Sequence, residues 1–376
     1  MASRFATLLL TFLTLVLASS CGDTESAIGG SGGEGGQGGA PSFGGSAGDA
    51  TVVPSVPWPV AEFPALPDEA VEVPEARLAL GRLLFYDPVL SVDSQTACGT
   101  CHSEFWGMGD ALSVGIGHGA GINAGPGREG PSVSRRNSQA LFNLAFRETF
   151  LWDGRAESLE EQALMPLLAE EELNIEPDTA VARVADIPEY AALFADAFPD
   201  DPVVTEDNLA AALAAFQRTF ISKRALYDAY VSGQPGTFDE ELVEGMFRFA
   251  EFGCAECHAP PLFESEVFAN RHVPSAEGVV DYGLAEISLR LDDLGKFRTP
   301  SLRNAFVTEP YFHNGSVVRL RDAVRHEIAE GGKPFTERDV ELILGFVDRA
   351  LRDTSRGPQR PDSVPSGLQL PQDAER

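Results

Sequence analysis

The sequence predicts a mostly α-helical protein with two domains, which follow an N-terminal export segment and a flexible tether. Helical patterns recur along most of the 376 residues, whereas long alternating strand patterns are absent. A cysteine pair followed at once by a histidine occurs twice, as ACGTCH at residues 97–102 and GCAECH at residues 253–258. Both halves share the order helix, cysteine motif, loops, helix, so we expect one domain around each motif.

Composition and charge narrow the class of protein. Hydrophobic residues make up 43% and charged residues 23%, which is typical of a soluble globular protein. The net charge is −29, from 28 basic and 57 acidic side chains. Such a surface repels nucleic acid and anionic lipid, so both are excluded as partners. It would attract a basic protein, although an acidic surface often serves only solubility.

The N-terminus has the pattern of a bacterial lipoprotein signal over residues 1–20. Arg4 precedes an apolar run at residues 6–18 that is too short to cross a membrane comfortably. Small residues lead into Cys21, the expected site of lipidation. Leucine is commoner where Ala18 stands, so ordinary signal cleavage is the alternative. We expect a periplasmic protein of the cell envelope that meets the membrane only through this lipid.

Composition also sets the domain boundaries. The Gly/Ser-rich and then Pro-rich stretch after the signal predicts a flexible tether that buries no core. SGQPGTF marks the boundary between the domains, and the Pro-rich C-terminus predicts a disordered tail. The expected segments are a tether at 21–68, an N-terminal domain at 69–235, a C-terminal domain at 236–355 and the tail at 356–376.

Helix signals define the elements of both domains. Pro74 precedes the first long helix, Thr205 is a candidate N-cap, and Thr336 with Asp339 resembles a capping box. The predicted helical segments are EARLALGRLLFYD (75–87), ESLEEQALMPLL (157–168), TEDNLAAALAAFQRTFIS (205–222), DEELVEGMFRFAEF (239–252) and TERDVELILGFVDRAL (336–351).

The cysteine motifs indicate covalent haem. Of five cysteines, one is the lipidation candidate and the other four make up the two motifs, so none is left for a disulfide. C-x-x-C-H is typical of c-type haem attachment, in which two thiols add to the haem vinyl groups and the histidine binds iron. A zinc site would need further ligands close by, and a thioredoxin-type dithiol would not require the histidines. The predicted haem-binding residues are Cys98, Cys101, His102, Cys254, Cys257 and His258.

The residues around these motifs resemble the bacterial di-haem cytochrome c peroxidase superfamily. This group includes the classical peroxidases and the enzymes that mature tryptophan tryptophylquinone on methylamine dehydrogenase. The resemblance covers about residues 75–330. It is carried by LGRLLFYDPVLS, ACGTCH, SVGIGHG, RRNSQALFN, FLWDGRAESLEEQALMPL, GCAECH, GKFRTPSLRNAFVTEPYFHNGS and LRDAVRHE. It implies two cytochrome c-like domains with long loops, two haem c groups and one calcium ion.

The resemblance assigns roles to four of these residues. His102 would be the proximal ligand of the peroxidatic haem, and His258 that of the electron-transfer haem. His118 lies sixteen residues after His102, where classical peroxidases have a removable distal ligand, although it also suits a plain Gly-rich loop. Trp152 would lie between the haems, which is compatible with a core aromatic.

The resemblance also implies a catalytic pair in the peroxide pocket, Gln162 and Glu172. Because Glu172 ends a run of three glutamates, a solvated face and a slip of one residue are alternatives. The side chain of Asn137 and the carbonyls of Thr308 and Pro310 would bind the calcium ion, an oxygen-only set that suits a hard cation. Simple turn chemistry is the alternative for these three.

One ligand of the family pattern is absent. Classical peroxidases bind the C-terminal haem iron with a methionine, and the quinone-maturing enzymes use tyrosine. This sequence has Glu327 there, next to His326. Its four methionines, Met1, Met108, Met165 and Met246, all precede His258. Glu327 or, less favoured, His326 is the candidate ligand, and loss of the thioether should lower the reduction potential.

The expected function is reduction of hydrogen peroxide by a c-type di-haem peroxidase. Electrons would come from a small cytochrome c or cupredoxin and pass from the C-terminal to the N-terminal haem. A first alternative is an enzyme that uses peroxide to oxidise tryptophan or tyrosine residues of a partner protein. A second is an electron-transfer cytochrome without catalysis.

Overall fold

The computed structural model describes residues 55–275, 279–355 and 357–375. The expected signal at 1–20, Cys21 and most of the tether lie outside these residues. Among the residues described, no helix is both long and apolar enough to cross a membrane.

The described chain is mostly α-helical, as the sequence predicts. Its thirteen α-helices are α1 (Asp68–Val71), α2 (Glu75–Tyr86), α3 (Cys98–Cys101), α4 (Leu159–Leu168), α5 (Pro177–Ala185), α6 (Pro188–Ala197), α7 (Glu206–Gln217), α8 (Leu226–Val231), α9 (Glu240–Glu251), α10 (Cys254–Cys257), α11 (Ala285–Ser288), α12 (Leu320–Glu330) and α13 (Glu337–Gly345). Short 3₁₀ turns lie at Pro88–Leu90, Glu104–Trp106, Leu144–Phe146, Leu291–Asp293 and Ala305–Val307, and a π-helical turn, Phe346–Ala350, extends α13.

The strands are only two residues long. They are β1 (Asn123–Ala124), β2 (Phe268–Ala269), β3 (Phe297–Arg298) and β4 (Gln372–Asp373). The first and last pair in parallel, and the middle two pair antiparallel. They join distant loops and form no layer of their own.

The predicted helix starts are confirmed. The Thr205 side chain accepts a hydrogen bond from the backbone N–H of Asn208 at 3.1 Å, which caps α7. Thr336 and Asp339 form the reciprocal capping box of α13. These side chains satisfy N–H groups that the first helical turn leaves without backbone partners.

The first hydrophobic core centres on the crossing of α2 and α7. A Cβ atom at Gly81 would lie 1.9 Å from the carbonyl oxygen of Ala212, so the two backbones meet where a side chain is missing. Leu80 and Leu84 of α2 are fully buried beside Leu209 of α7. This close crossing supports the segment that leads into the first cysteine motif.

The second core is aromatic and extends beyond its predicted limits. Trp58, expected in the tether, lies 6.1 Å from Phe249 between ring centroids, and its Nε1–H donates to the Tyr227 hydroxyl at 3.0 Å. Residues 55–68 are therefore not a free tether. Burial of the indole against the aromatic core is more favourable than its exposure to solvent. Tyr227 belongs to the same core, so α8 packs with the second half. The predicted boundary at residue 235 would instead place α8 in the first half.

The expected disordered tail is also wrong for residues 357–375. These residues pack on the first half, where β4 pairs with β1 and the Ser366 hydroxyl donates to Asp87 Oδ1 at 2.7 Å. Val364 is buried, and Arg360 donates to Asp373 Oδ2 at 2.8 Å. Because this segment is rich in proline, its few buried apolar residues could not be recognised from the sequence.

A matched pair of substitutions tests the docking of the tail. Val364→Asp places a charge in a buried apolar site and should lower the free energy of unfolding by about 3 kcal/mol. Ser363→Asp adds the same charge to an exposed neighbour and should change it by less than about 0.5 kcal/mol. Thermal or denaturant unfolding measures both. Equal stability of the two variants would contradict the packing described.

Candidate functional site

The first cysteine motif forms a single helical turn, α3. The Thr100 hydroxyl accepts from the backbone N–H of Ala97 at 2.9 Å and so fixes the start of the turn. A Cβ atom at residue 99 would lie 2.5 Å from the Tyr86 ring, which explains the glycine between the cysteines. Neither thiol is in a disulfide, and burial raises the pKa of Cys98 to about 12. Both cysteines are thus presented as neutral thiols on one turn.

His102, directly after α3, is arranged as a metal ligand. Its Nδ1 lies 3.1 Å from the carbonyl oxygen of Met108, which can only accept, so Nδ1 carries the proton. Burial lowers the pKa of His102, which keeps the imidazole neutral. The lone pair is then on Nε2, the arrangement by which proteins orient a histidine toward a metal.

The second motif repeats this arrangement. Its turn, α10, follows Gly253, whose φ of +82° few other residues tolerate. His258 Nδ1 lies 3.0 Å from the carbonyl oxygen of Pro300 and 3.2 Å from that of Phe263. Burial lowers the pKa of His258 to about 4, so this ring is also neutral with its lone pair on Nε2.

A cavity of about 720 Å³ opens beside the second motif. Its wall includes Cys254, Cys257 and His258, together with Trp152 and Glu327. Two thiols and a neutral imidazole facing one cavity are the donor set that covalent haem requires. The residues at this motif therefore fit a haem c group.

Arg298 gives independent support for an anionic group in this cavity. Its side chain is fully buried, and none of its three guanidinium nitrogens has a hydrogen-bond partner in the described structure. The nearest carboxylate, that of Glu264, is 3.8 Å away and is already bound by Arg147 at 3.0 Å. Burial lowers the pKa of Arg298 to about 10, yet it stays charged at neutral pH. Its ion pairs with Glu264 at 3.8 Å and Glu266 at 4.0 Å are too long to be hydrogen bonds. A buried cation without a hydrogen bond is stabilised by a closer anion, and a haem propionate supplies one.

Glu172 lies close to the first motif. The side chain is half-buried, and burial raises its pKa, with a further contribution from the charge of Glu171. The charge of Glu172 in turn raises the pKa of Cys98 and Cys101. Glu171 is exposed, so only one of this pair is directed inward.

Gln162 lies on α4, and His118 lies beside the Glu172 segment. Gln162 Oε1 is buried without a hydrogen-bond partner among the described residues. His118 donates its backbone N–H to the carbonyl oxygen of Glu172 at 2.8 Å, while its Nε2 lies 3.1 Å from the carbonyl oxygen of Glu170. The structure thus brings the His118 loop to the Glu172 segment, with the ring directed at a backbone oxygen.

Trp152 lies where the two halves meet. Its Nε1–H donates to the carbonyl oxygen of Asn137 at 2.9 Å, and its own carbonyl accepts from the N–H of Arg298 at 2.8 Å. The next residue, Asp153, binds Arg136 at 2.5 Å, and Arg136 also binds Asp281 at 2.7 Å. The buried indole is therefore held by residues of both halves.

The two candidate ligands at the missing methionine position have different surroundings. Glu327 lines the cavity, where Arg271 Nε donates to its Oε2 at 2.7 Å. Burial raises the pKa of Glu327, and Arg271 opposes that effect. His326 Nε2 donates instead to the carbonyl oxygen of Arg271 at 2.7 Å. Of the two, Glu327 is the one directed into the cavity.

The three residues expected to bind calcium all belong to the wall of one cavity. Asn137, Thr308 and Pro310 all line the cavity, and Asn137 Nδ2 donates to the carbonyl oxygen of Leu112 at 2.7 Å. This contact leaves the amide oxygen of Asn137 as the group suited to a cation. Within the described residues, no cluster of three or more His, Cys, Asp or Glu side chains could hold a metal.

No local sequence pattern distinguishes Arg298, Arg271 or Arg136. Arg298 lies within FRTPSLRN, but its lack of a hydrogen-bond partner is not visible there, and Arg271 meets Glu327 from 56 residues away. Arginine is a common surface residue, so its role becomes visible only through burial and long-range contacts.

Comparison with known proteins identifies related chains. A model of the di-haem cytochrome c peroxidase family matches residues 75–236. The chain is 32% identical to the methylamine utilization protein MauG of Methylorubrum extorquens, over 85% of this chain and 84% of that protein. It is 33% identical to the cytochrome c551 peroxidase of Pseudomonas aeruginosa, over 76% and 83% of the two chains.

A solved structure shows the same fold. It is the crystal structure of a MauG-like protein associated with microbial copper homeostasis, with a TM-score of 0.67 and 26% sequence identity. The match covers 78% of this chain and 94% of that one.

Substitution of Arg298 tests the assignment of an anionic cofactor to the cavity. Arg298→Leu removes a buried positive charge and should lower the potential of the second haem by about 60 mV, a tenfold change for one electron. Arg298→Lys keeps the charge and should shift it less. Redox titration measures both, with a pyridine haemochrome assay to confirm equal haem content. An unchanged potential in the leucine variant would contradict the assignment.

Proposed function

Because the chain belongs to the di-haem cytochrome c peroxidase family, we propose that it reduces hydrogen peroxide to water with electrons from a small redox protein. The observation that carries this proposal is the pair of equivalent C-x-x-C-H turns, each followed by a neutral histidine that binds a carbonyl through Nδ1. A lone electron carrier would not need the inward carboxylate of Glu172 near one of them.

Each motif would hold one haem c. Cys98 and Cys101 would form the thioethers of the first and Cys254 and Cys257 those of the second, with the iron ligands supplied by His102 and His258. Bound haem supplies the redox chemistry, and the protein supplies orientation and proton handling.

Glu172 would be the general base and acid of the reaction. A carboxylate whose pKa is raised by burial is a stronger base than an exposed one. It would take a proton from peroxide and return it to the departing oxygen. Gln162 would position peroxide by a hydrogen bond, for which its buried oxygen has no competing partner among the described residues.

Trp152 would carry electrons between the halves, in the direction from the C-terminal to the N-terminal site. Its contacts with Asn137 and Arg298 support this role, since they hold one aromatic ring against both halves. The electron donor would be a small cytochrome c or cupredoxin. The charge of −29 would favour a basic partner.

His118 is a proposed movable ligand of the first haem, and calcium a proposed second cofactor. The ring of His118 contacts a backbone carbonyl, so it would have to leave that contact before it could bind iron. The calcium proposal is supported by the positions of Asn137, Thr308 and Pro310, which all line the same cavity. Lipidation at Cys21 and a periplasmic location are proposed from the sequence.

A second candidate function is oxidation of tryptophan or tyrosine on a partner protein. It is favoured by the glutamate at position 327, where classical peroxidases have methionine, and by the similarity to MauG. Both functions use the same peroxide site, so they differ in where the oxidising equivalents go.

Glu172→Gln is the experiment that tests the proposed function. Loss of the base should lower kcat/KM for hydrogen peroxide by about 100- to 10,000-fold, while haem content and visible spectra stay the same. Glu171→Gln, at the exposed neighbour, should leave activity within twofold. Steady-state oxidation of a reduced c-type cytochrome measures both. Full activity in Glu172→Gln would show that Glu172 is not the base, whereas no peroxide turnover by the wild type would leave the non-catalytic cytochrome as the better description.

The pH dependence of activity should follow Glu172. Burial raises its pKa, and the base must be deprotonated, so kcat/KM should fall as pH decreases through that raised value. The fall should lie above the ordinary glutamate pKa of about 4.3. A pH profile of kcat/KM checks this, and the same limb should be missing from the residual activity of Glu172→Gln. A limb at the ordinary value in the wild type would contradict the raised pKa.

A further inference from the structure

The cavity beside His258 contains an ion pair that the proposed function does not use. Arg271 and Glu327 both line this cavity, together with Cys254 and Cys257. The guanidinium and carboxylate meet at 2.7 Å, and the charge of Glu327 raises the pKa of Cys254. The pair thus lies within electrostatic reach of the haem-attachment residues.

Arg271 is fixed to α12 at more than one point. Its Nη2 donates to the backbone carbonyl of Glu327 at 3.0 Å, while its own carbonyl accepts from His326 at 2.7 Å. The loop that follows β2 and the helix α12 are therefore joined through Arg271. Such anchoring orients the carboxylate of Glu327 and keeps a guanidinium beside it.

Glu327 and Arg298 differ in whether their charged side chains already have a hydrogen-bonded partner. Arg298 has no hydrogen-bond partner among the described residues and can bind an anion, whereas the carboxylate of Glu327 is already paired with Arg271. A carboxylate in this state does not need iron to offset its charge. Glu327 is thereby suited to a polar cavity wall.

Other described side chains that line the cavity and could bind iron are engaged elsewhere. The Tyr311 hydroxyl donates to the carbonyl oxygen of Ala305 at 2.8 Å. The His313 ring stacks on Phe297 with centroids 3.6 Å apart, and the His272 ring is directed at Glu330, 2.6 Å away. No methionine follows Met246 in the sequence. None of these three described side chains is therefore left free to close the second site.

We propose that the cavity beside His258 is a second binding site for a small ligand of the hydroperoxide class, with Arg271 and Glu327 as its polar wall. Such a molecule accepts a hydrogen bond from the guanidinium and donates one to the carboxylate. This inference rests on the proposed attachment of haem at the second motif. It assigns Arg271 as a ligand-binding residue and Glu327 as a neighbour of the iron and not its ligand.

Fluoride is the probe, because it binds ferric haem as a small anion and accepts hydrogen bonds. The test uses the mature oxidised protein, after a pyridine haemochrome assay has shown two haems per chain. Fluoride titrations are followed by visible and electron paramagnetic resonance spectra. In Arg271→Leu, one binding step should weaken at least tenfold while the other is unchanged. Arg325→Leu, which removes a half-exposed arginine of α12, should leave both steps unchanged.

The Glu327→Gln variant tests whether Glu327 binds the iron. If Glu327 belongs only to the wall, the resting ferric spectrum of this variant should match that of the wild type. The inference is overturned if this variant shows loss of an iron ligand, or if Arg271→Leu leaves every fluoride step unaltered. Neither result bears on peroxide turnover at Glu172. Failure of the proposed function would appear instead as fewer than two haems per chain or as no peroxide turnover by the wild-type protein.

Discussion

The arrangement of the two halves depends on the hydrogen bonds that hold Trp152. The indole N–H is bound by a carbonyl of the first half, and the tryptophan carbonyl is bound by an N–H of the second. The neighbouring Asp153 extends this connection through Arg136 to Asp281. Because these charges are largely buried, they maintain one arrangement of the halves, and an electron path through an aromatic ring needs a fixed arrangement.

The two sites share a ligand design but differ in their surroundings. Both histidines are neutral and bound to carbonyls through Nδ1, which presets Nε2 for iron. Near the first motif lies a carboxylate, Glu172, that has no hydrogen bond to an arginine among the described residues; at the second, Glu327 is held by Arg271. This difference in electrostatics is a physical reason why two chemically similar centres can have different functions.

The sequence predicted what short-range patterns encode. Capped helices such as α7 and α13 were found because Thr205 and Thr336 act within one turn. The cysteine motifs were equally readable because thioether chemistry demands their spacing. Trp58 and Val364 were misplaced because each is an isolated apolar residue in a Pro-rich stretch, and its partner is remote in sequence. Arg298 was missed because the lack of a hydrogen-bond partner is a property of the packed structure.

The central claim is that the two sites act as one peroxide-reducing unit. The most direct measurement adds hydrogen peroxide to the mature protein in its fully oxidised and half-reduced forms, followed by visible and electron paramagnetic resonance spectra. The account predicts that the half-reduced form consumes one equivalent of peroxide and loses the signature of its reduced haem at the same rate. If neither form reacts, or if the reduced haem stays reduced while peroxide disappears, the two sites are not coupled and the claim is wrong.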